Sequence, residues 1–547
     1  IFVSYDVDAI AACRIIQFLF ETDNIQYTII PISSINELVR SYREHVERVK
    51  YVLLLNIGAT FDVIEHLQPD NQATIFIVDS HRPIDVYNIY RDHQVRIITF
   101  EEDEENQIPI PKYEEMFRDS DSDDDINVRD LTLQQLEKRS QRQAWQRERR
   151  KKLFEYTQFS FYSNSTALIM FDLAWKLSKD NNELLWLAMI GVSDQFVTSK
   201  ISKSKYENQC KYLHNAILRL KNMRGDGHVL HPIDSEQTSL SSQSNHLNIM
   251  YEKDLQLLLY RHWSIYESLR HTMYVACKFK IWKLRGHKHM LGFLAKLGVP
   301  LAQCKQKFSS MDLDLRNNIK QWIEELSNEF SLAQIIGNSF NASRGFKNKY
   351  NSCDVAHAAR ALLESPTKDK RNNQKFFDAI DCLSWNNIEL LENGFDMARV
   401  EFTAILKQVQ IIIDSKQIHS MNSQFWHVTI AESTPDASLF CYPHSINQLA
   451  RFLLHAHASA NPKSQKCYEL PLVLIVPDMN RSELCLAVGI PPIAADSSNN
   501  FFSKAFSQIA QKMRHFIFEI DMIDNCIAHF PYNERNNFLN ELSLLLT

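Results

Sequence analysis

Glycine is scarce in this chain, with 11 residues in 547. That disfavours folds organised around glycine-rich nucleotide loops, where bare backbone must approach phosphates, and favours a helix-rich body. Ten cysteines are scattered from Cys13 to Cys526 without one Cys-x-x-Cys pair, which argues against a zinc module or a disulfide framework and for reduced, intracellular thiols. No apolar run reaches the roughly 18–20 residues needed to cross a bilayer, so no membrane contact is expected. The opening residues IFVSYDVDA have no basic segment followed by an apolar stretch, so they do not read as a signal peptide. They read as a strand met partway, and further residues are expected upstream. Excess charge of one sign is missing too: the net charge is −6, so any contact with nucleic acid must come from a local patch.

What is present exceeds one hydrophobic core, and two or three domains are expected. Over residues 1–100, apolar runs at 1–3, 27–30, 51–55, 75–78 and 95–98 read as buried strands. Between them, DAIAACRIIQFLFE and SINELVRSYREHVERV repeat apolar residues at helical period. This rhythm predicts right-handed βαβ units and a parallel sheet. Composition then breaks. Residues 101–125 are dense in Asp and Glu and end in DSDSDDD, which predicts a solvated loop. Residues 131–152 are strongly basic without a continuous apolar face, as an exposed helix or a partner-binding arm would be.

Globular composition returns at 153–200, where FDLAWKLSKDNNELLWLAMIGVSDQF predicts two packed helices ending near Gly191. Residues 201–335 read as helical in nearly every segment, with a break at Gly298-Val299-Pro300. Beyond 336, helices lead into a second strand-rich module whose strands are predicted at FWHVTIAE, SLFCYP, LPLVLIVPD, LCLAVGI and FIFEIDM. The resulting division is an α/β domain at 1–100 and 150–200, an acidic loop and basic helix at 101–149, a helical region at 201–335, and a smaller α/β domain at 336–547.

In parallel α/β sheets, ligands sit at the carboxyl ends of the strands. Those ends carry Asp6 and Asp8, then Asn56, then Asp79, Ser80 and His81, while Asp194 closes a later helical stretch. Acidic and imidazole groups converging on one crevice suit a pair of divalent metals activating water for phosphate chemistry. The same aspartates, each following a strand, also suit helix capping, because the side chain accepts from free backbone N–H groups.

The ordered set resembles the DHH phosphoesterase superfamily, which includes RecJ-type exonucleases and manganese pyrophosphatases. In that pattern the residue ending the third strand is an aspartate bridging both metals, and here it is Asn56. The D-H-H signature reads Asp79-Ser80-His81, so Ser80 stands in place of a metal-binding histidine, and a pyrophosphatase-type histidine is replaced by Phe2. Two neighbouring divalent cations need a bridging anion to be held together, and a neutral amide cannot supply it. A hydroxyl is also a poor ligand beside an imidazole. The implied cofactor state is none, or at most one weakly bound Mg²⁺ or Mn²⁺ on Asp6, Asp8, Asp79 and Asp194.

Longer segments are more specific. DVDAIAACRIIQFLF, LQPDNQATIFIVDSHRPIDVYNIY, FDLAWKLSKDNNELLWLAMIGVSDQ, YRHWSIYESLRHTMYVACKFKIW and FKNKYNSCDVAHAARALLESP resemble the cell division control protein 45 family of eukaryotic replication factors over essentially the whole chain. The resemblance implies a DHH-like N-terminal domain, an all-helical middle insertion and a smaller DHH-associated-like α/β domain. It implies a nuclear, non-enzymatic subunit of the replicative helicase, acting in initiation and elongation of DNA replication. The implied partners are the minichromosome maintenance ring and the GINS tetramer, with replicative polymerases and single-stranded DNA as further candidates. The rival reading is a Mn²⁺-dependent RecJ-type single-strand exonuclease with a degenerate metal site, and a third is a stand-alone single-strand binder.

Other features each carry two readings. Residues 261–290 mix bases with aromatics, so Trp263, Tyr266, Tyr274, Phe279 and Trp282 could stack on bases while Lys278, Lys280, Lys283 and Arg285 meet phosphates. Aromatics at helical spacing more commonly pack a core, leaving such helices to face a protein partner. Arg344, Lys347 and Lys349 form a short basic segment suited to a strand contact or to plain solvation. His287 and His289 are expected in an exposed loop. The basic run 138–152 fits nuclear import or a partner contact. Ser120 and Ser122 suit acidophilic kinases, with small structural effect expected. Phe501 and Phe502 are candidates for a docking edge or for the core of the second module.

Overall fold

The computed structural model describes residues 1–45, 49–100, 109–117, 133–223, 247–345, 348–366, 372–481, 483–494, 499–513 and 517–546. Five strands, Phe2–Ser4, Ile30–Ile32, Tyr51–Leu55, Thr74–Val78 and Val95–Ile97, form one sheet in the spatial order second, first, third, fourth, fifth. Every neighbouring pair is parallel. The first strand therefore has a neighbour on each side, and the chain reverses its direction of winding there. The carboxyl ends of the first and third strands flank that switch point, where a doubly wound sheet opens a crevice.

Alternation along the strands separates two cores, since successive side chains point to opposite faces. Val3, Leu55 and Val78 face one side, where the helices Val7–Thr22, Thr166–Lys176 and Asn182–Val197 pack. Phe2, Leu54 and Ile77 face the other, against the helices Ile35–His45 and Val63–Leu67. The second strand begins at Ile30, three residues later than the apolar run at 27–30 suggests. It is an edge strand, so Pro31 can sit in it without depriving an outer neighbour of a donor. The helix expected to end near Gly191 continues to Val197. A Cβ at Gly191 would lie 2.6 Å from Asp8 Oδ1 and 2.7 Å from the Ala167 Cβ, so this glycine permits close helix approach rather than ending a helix.

The middle of the chain is helical as expected, and Pro300 separates the helices Leu284–Lys296 and Leu301–Lys305. One segment departs. Leu247–Leu255 is a nine-residue strand, paired antiparallel along its length with Ile336–Arg344, which pairs in turn with Asn348–Asn351. Its partner lies some ninety positions away, so no local signal fixes its state. His287 and His289 lie on the helix Leu284–Lys296, not in a loop.

The last sheet orders His419–Met421, Phe425–Thr429, Leu472–Pro477, Leu484–Ile490, Ile527–Pro531 and Glu519–Ile520. Four of its five predicted strands exist in whole or part. SLFCYP does not form one: Ala437–Phe440 is a 3₁₀ turn, and Pro443 opens the helix Pro443–Ala460 at its first turn, where a missing N–H costs nothing. Phe502 is fully buried beneath this sheet and Phe501 packs beside it, so the pair belongs to the core rather than a docking edge. The basic helix runs Leu133–Thr157 and is exposed over much of its length, anchored by Leu153 and Tyr156. Ser120 and Ser122 lie outside the described residues. Among the described residues, no helix is long and apolar enough to cross a membrane.

Candidate functional site

Each strand-end residue of the crevice is already engaged. Asp6 caps the helix Val7–Thr22, accepting from the Ala9 N–H at 2.7 Å, and also accepts from the Asn56 amide. Asp8 sits at the start of the helix Thr166–Lys176. It accepts from the Ser165 hydroxyl and from the N–H groups of Thr166 and Ala167 at 2.8 and 2.9 Å, which is where the helix dipole favours an anion. Burial, reinforced by the neighbouring Asp6, nevertheless pushes the Asp8 carboxyl up to about 7.

Asn56 holds the middle of the network. Its backbone is left-handed, φ +56°, a conformation asparagine tolerates better than most residues. Its Oδ1 accepts from Ser80 N–H at 3.0 Å, Ser80 Oγ at 2.7 Å and Thr166 Oγ1 at 3.1 Å, while its amide N–H donates to Asp6. The amide oxygen is thereby saturated, and Ser80 is turned toward it as a donor. Asp79 accepts from the Ala59 N–H and from both the backbone and Nδ1 of His81, the last at 2.6 Å. Burial alone would raise the Asp79 carboxyl, but the His81 charge and these hydrogen bonds outweigh it and hold it below the usual range. Burial alone would likewise lower His81, and Asp79 reverses the direction. His81 Nε2 reaches the Ile523 carbonyl at 3.1 Å, tying the crevice to the C-terminal sheet's own loop.

Asp194 differs. It is fully buried, and neither carboxylate oxygen has a hydrogen-bond partner. Burial pushes it up to about 6, with Lys200 and Arg360 pulling the other way. Lys200 is one of the buried cations of this region. Its ammonium is raised in pKa because the carboxylates of Asp6, Asp194, Asp524 and Asp8 outweigh the burial that would lower it. A buried lysine thus sits in the field that several aspartates would otherwise direct at a metal.

The residues do not fit a pair of divalent ions. Asn56, expected at the bridging position, is a neutral amide with its lone pairs taken, Ser80 donates rather than offering a free oxygen, and three of the four carboxylates are committed to backbone donors. Among the described residues, no three His, Cys, Asp or Glu side chains meet as a metal site. The structure therefore joins Asp6, Asp8, Asn56, Ser80 and Thr166 in one hydrogen-bonded cluster, with the bonded pair Asp79 and His81 flanking Ser80 in sequence and Asp194 acting on the same lysine. Sequence reasoning missed Lys200, for which no local signal exists. It also missed Ser165, whose place before an apolar helix was a readable N-cap.

The proposed strand-contact residues do not assemble comparably. Arg344 is half-buried at the end of its strand, Lys349 is paired to Glu252 at 3.0 Å, and Lys347 lies outside the described residues. Trp282, Phe279 and Tyr266 are buried, and Trp263 stacks on His271 at 4.7 Å between ring centres. The aromatics face the core, while Lys278, Lys283 and Arg285 face solvent. Lys280 is half-buried in a left-handed turn that ends the helix Met273–Phe279.

Known proteins match this chain along its full length. The family model named CDC45 matches residues 1–137 and 111–545. The cell division control protein 45 homologue of Mus musculus is 36% identical over 568 residues, covering 100% of this chain and 96% of that protein. The Homo sapiens homologue is 35% identical with the same coverage. A crystal structure of CDC45 from Entamoeba histolytica superposes with a TM-score of 0.70 at 23% identity, covering 100% of this chain and 94% of that one, and so shares the fold. With a family model and two relatives of this identity spanning the whole length, the chain belongs to the CDC45 family.

Proposed function

We propose that this chain is a non-catalytic, nuclear subunit of the replicative DNA helicase, bridging the minichromosome maintenance ring and the GINS tetramer. Family membership supports a role in DNA replication. One observation carries the non-catalytic part: Asn56 joins Asp6, Ser80 and Thr166 through its own amide. A crevice closed by such bonds needs no bridging cation and offers no metal-bound water. Function then rests on extended surfaces, and assembly into a ring complex calls for more than the roughly 1,600 Å² of a standard interface. The exposed Lys278, Lys283 and Arg285 and the basic helix Leu133–Thr157 are candidates for such contacts.

The test pairs two assays on the full chain. The first incubates labelled single-stranded DNA with excess Mn²⁺ and either the native protein or an Asp6→Ala/Asp8→Ala variant. The second mixes native protein with purified ring and GINS and measures co-elution. No cleavage together with a stable ternary complex is the expected result. Cleavage abolished in the double variant would restore the exonuclease reading, and failure to co-elute would remove the bridging role.

A further inference from the structure

A cavity of about 290 Å³ adjoins the crevice and shares Lys200 with it. Its volume sits near the low end of the roughly 300–1,000 Å³ typical of small-ligand sites. Three cations line it, Lys200, Arg360 and Arg451, against two carboxylates, Asp354 and Asp524. None of the three cations has a carboxylate within the 4.0 Å of an ion pair among the described residues. Arg360 touches His357, and Arg451 donates through Nε to Asn447 Oδ1 at 2.8 Å. The guanidinium group of Arg451 therefore keeps its two Nη groups without a partner among the described residues. Asp524 is occupied by Asn447 Nδ2 and the Cys526 N–H at 2.8 and 2.9 Å.

Lys200, Arg360 and Arg451 line the same cavity as His444 and Asp524. His444 is 6% exposed, lines the cavity, and leaves Nε2 without a partner. Lys200 and Arg360 are buried; buried cations without paired anions are costly, and an unmet buried ring nitrogen adds to that cost. The lining also includes the apolar side chains of Phe402, Ile405 and Phe452.

We propose that this cavity binds a small phosphomonoester, its head group held by Arg360, Arg451, Lys200 and His444 Nε2 and its body against Phe402, Ile405 and Phe452. Guanidinium forks match phosphate oxygens two at a time, which a point charge does not. Burial also pushes Asp354 up to about 7, which reduces the negative charge that competes with an incoming dianion. The proposal stands independently of the helicase reading.

Calorimetry on the full chain tests it with three probes: adenosine monophosphate, inorganic phosphate and adenosine. The monophosphate should bind, adenosine should not, and Arg451→Gln should weaken the monophosphate by about tenfold or more. Arg451 is half-buried and Arg360 almost fully buried, so Arg451 is the safer substitution. Should the variant fail to fold, phosphorus NMR of the monophosphate with native protein reads binding directly. No binding by native protein at millimolar monophosphate, or equal binding by adenosine, would overturn the proposal. Inorganic phosphate binding as tightly as the monophosphate would overturn the organic body, and an unchanged affinity in Arg451→Gln would overturn the assigned head-group site.

Discussion

Lys200→Met removes one charge from the crevice while keeping the length of the side chain. Lys200 is 7% exposed, and the charges acting on it belong to Asp6, Asp194, Asp524 and Asp8. Taking away one partner of a buried charge arrangement costs about 3–5 kcal/mol, because the carboxylates left behind are uncompensated. No carboxylate lies within ion-pair distance of this ammonium among the described residues, so the loss belongs near the lower figure, about 3 kcal/mol. At about 2–4 °C per kcal/mol for a cooperative unit of 150–250 residues, the melting temperature falls by roughly 6–12 °C at alkaline pH.

The loss has a definite pH dependence. Asp194 and Asp8 already titrate at about 6 and about 7 with Lys200 in place, and losing a nearby cation raises a carboxyl further. A carboxyl raised in the folded state binds a proton that the unfolded state has released, so stability declines as pH climbs toward the folded pKa. Below it the protonated carboxyl no longer needs the lysine. Melting curves of native and Lys200→Met protein should therefore diverge most at about pH 8 and draw together by about pH 5. Parallel curves at both ends would mean that the aliphatic stem matters rather than the charge. The picture of a crevice neutralised from within would then be wrong.

Gly191→Ala should destabilise by about 1–3 kcal/mol through overpacking against Asp8 and Ala167, even though alanine gains up to about 1 kcal/mol of helix propensity; an unchanged melting temperature would contradict the close helix approach. His81→Gln breaks the buried pair with Asp79, at a cost of about 3 kcal/mol. Because His81 is raised above 6.5, its contribution is full below that value and fades as pH rises through the folded pKa, so the variant's deficit should shrink in alkaline melts. Glu364 is pushed up to about 8 by burial and by Glu401. Glu364→Gln should therefore be nearly neutral at about pH 4 and stabilising by about pH 8, gaining at most about 1.4 kcal/mol per pH unit between the ordinary carboxyl range and the folded value and levelling off above it. Excess chelator should leave the melting temperature of native protein unmoved, since Asp6, Asp8 and Asp79 are held by backbone donors, Asn56, Ser165 and His81; a fall of several degrees would reveal a structural cation.

The first sheet was legible because its strands are short apolar runs flanked by helical periodicity, and because parallel sheets gather ligands at known strand ends. Asp6, Asn56 and Asp79 fall together for that reason alone. The strand Leu247–Leu255 was not legible: LNIMYEKDL carries no turn signal, and it becomes a strand through pairing with Ile336–Arg344 far along the chain. SLFCYP failed in the opposite way, since its apolar composition suits a strand while Pro443 at its end suits a helix start better. Within the site, the sequence identified which carboxylates converge but not what satisfies them.

That difference decides the chemistry. The same Asp6 and Asp8 could serve as ligands or as caps, and choosing between them requires knowing the acceptor load on each oxygen. Asp8 meets three donors on the helix Thr166–Lys176 and its flank, Asp6 meets one on its own helix and one on Asn56, and Asp79 meets three around His81 and Ala59. A divalent ion would have to displace several of these bonds and also lie within the field of Lys200. Each exchange gives up a charge-assisted bond in a dry interior, where such bonds are strongest. Asp194 alone is left unbonded, and a single carboxylate facing a buried ammonium is better neutralised by that ammonium than by a cation drawn from water.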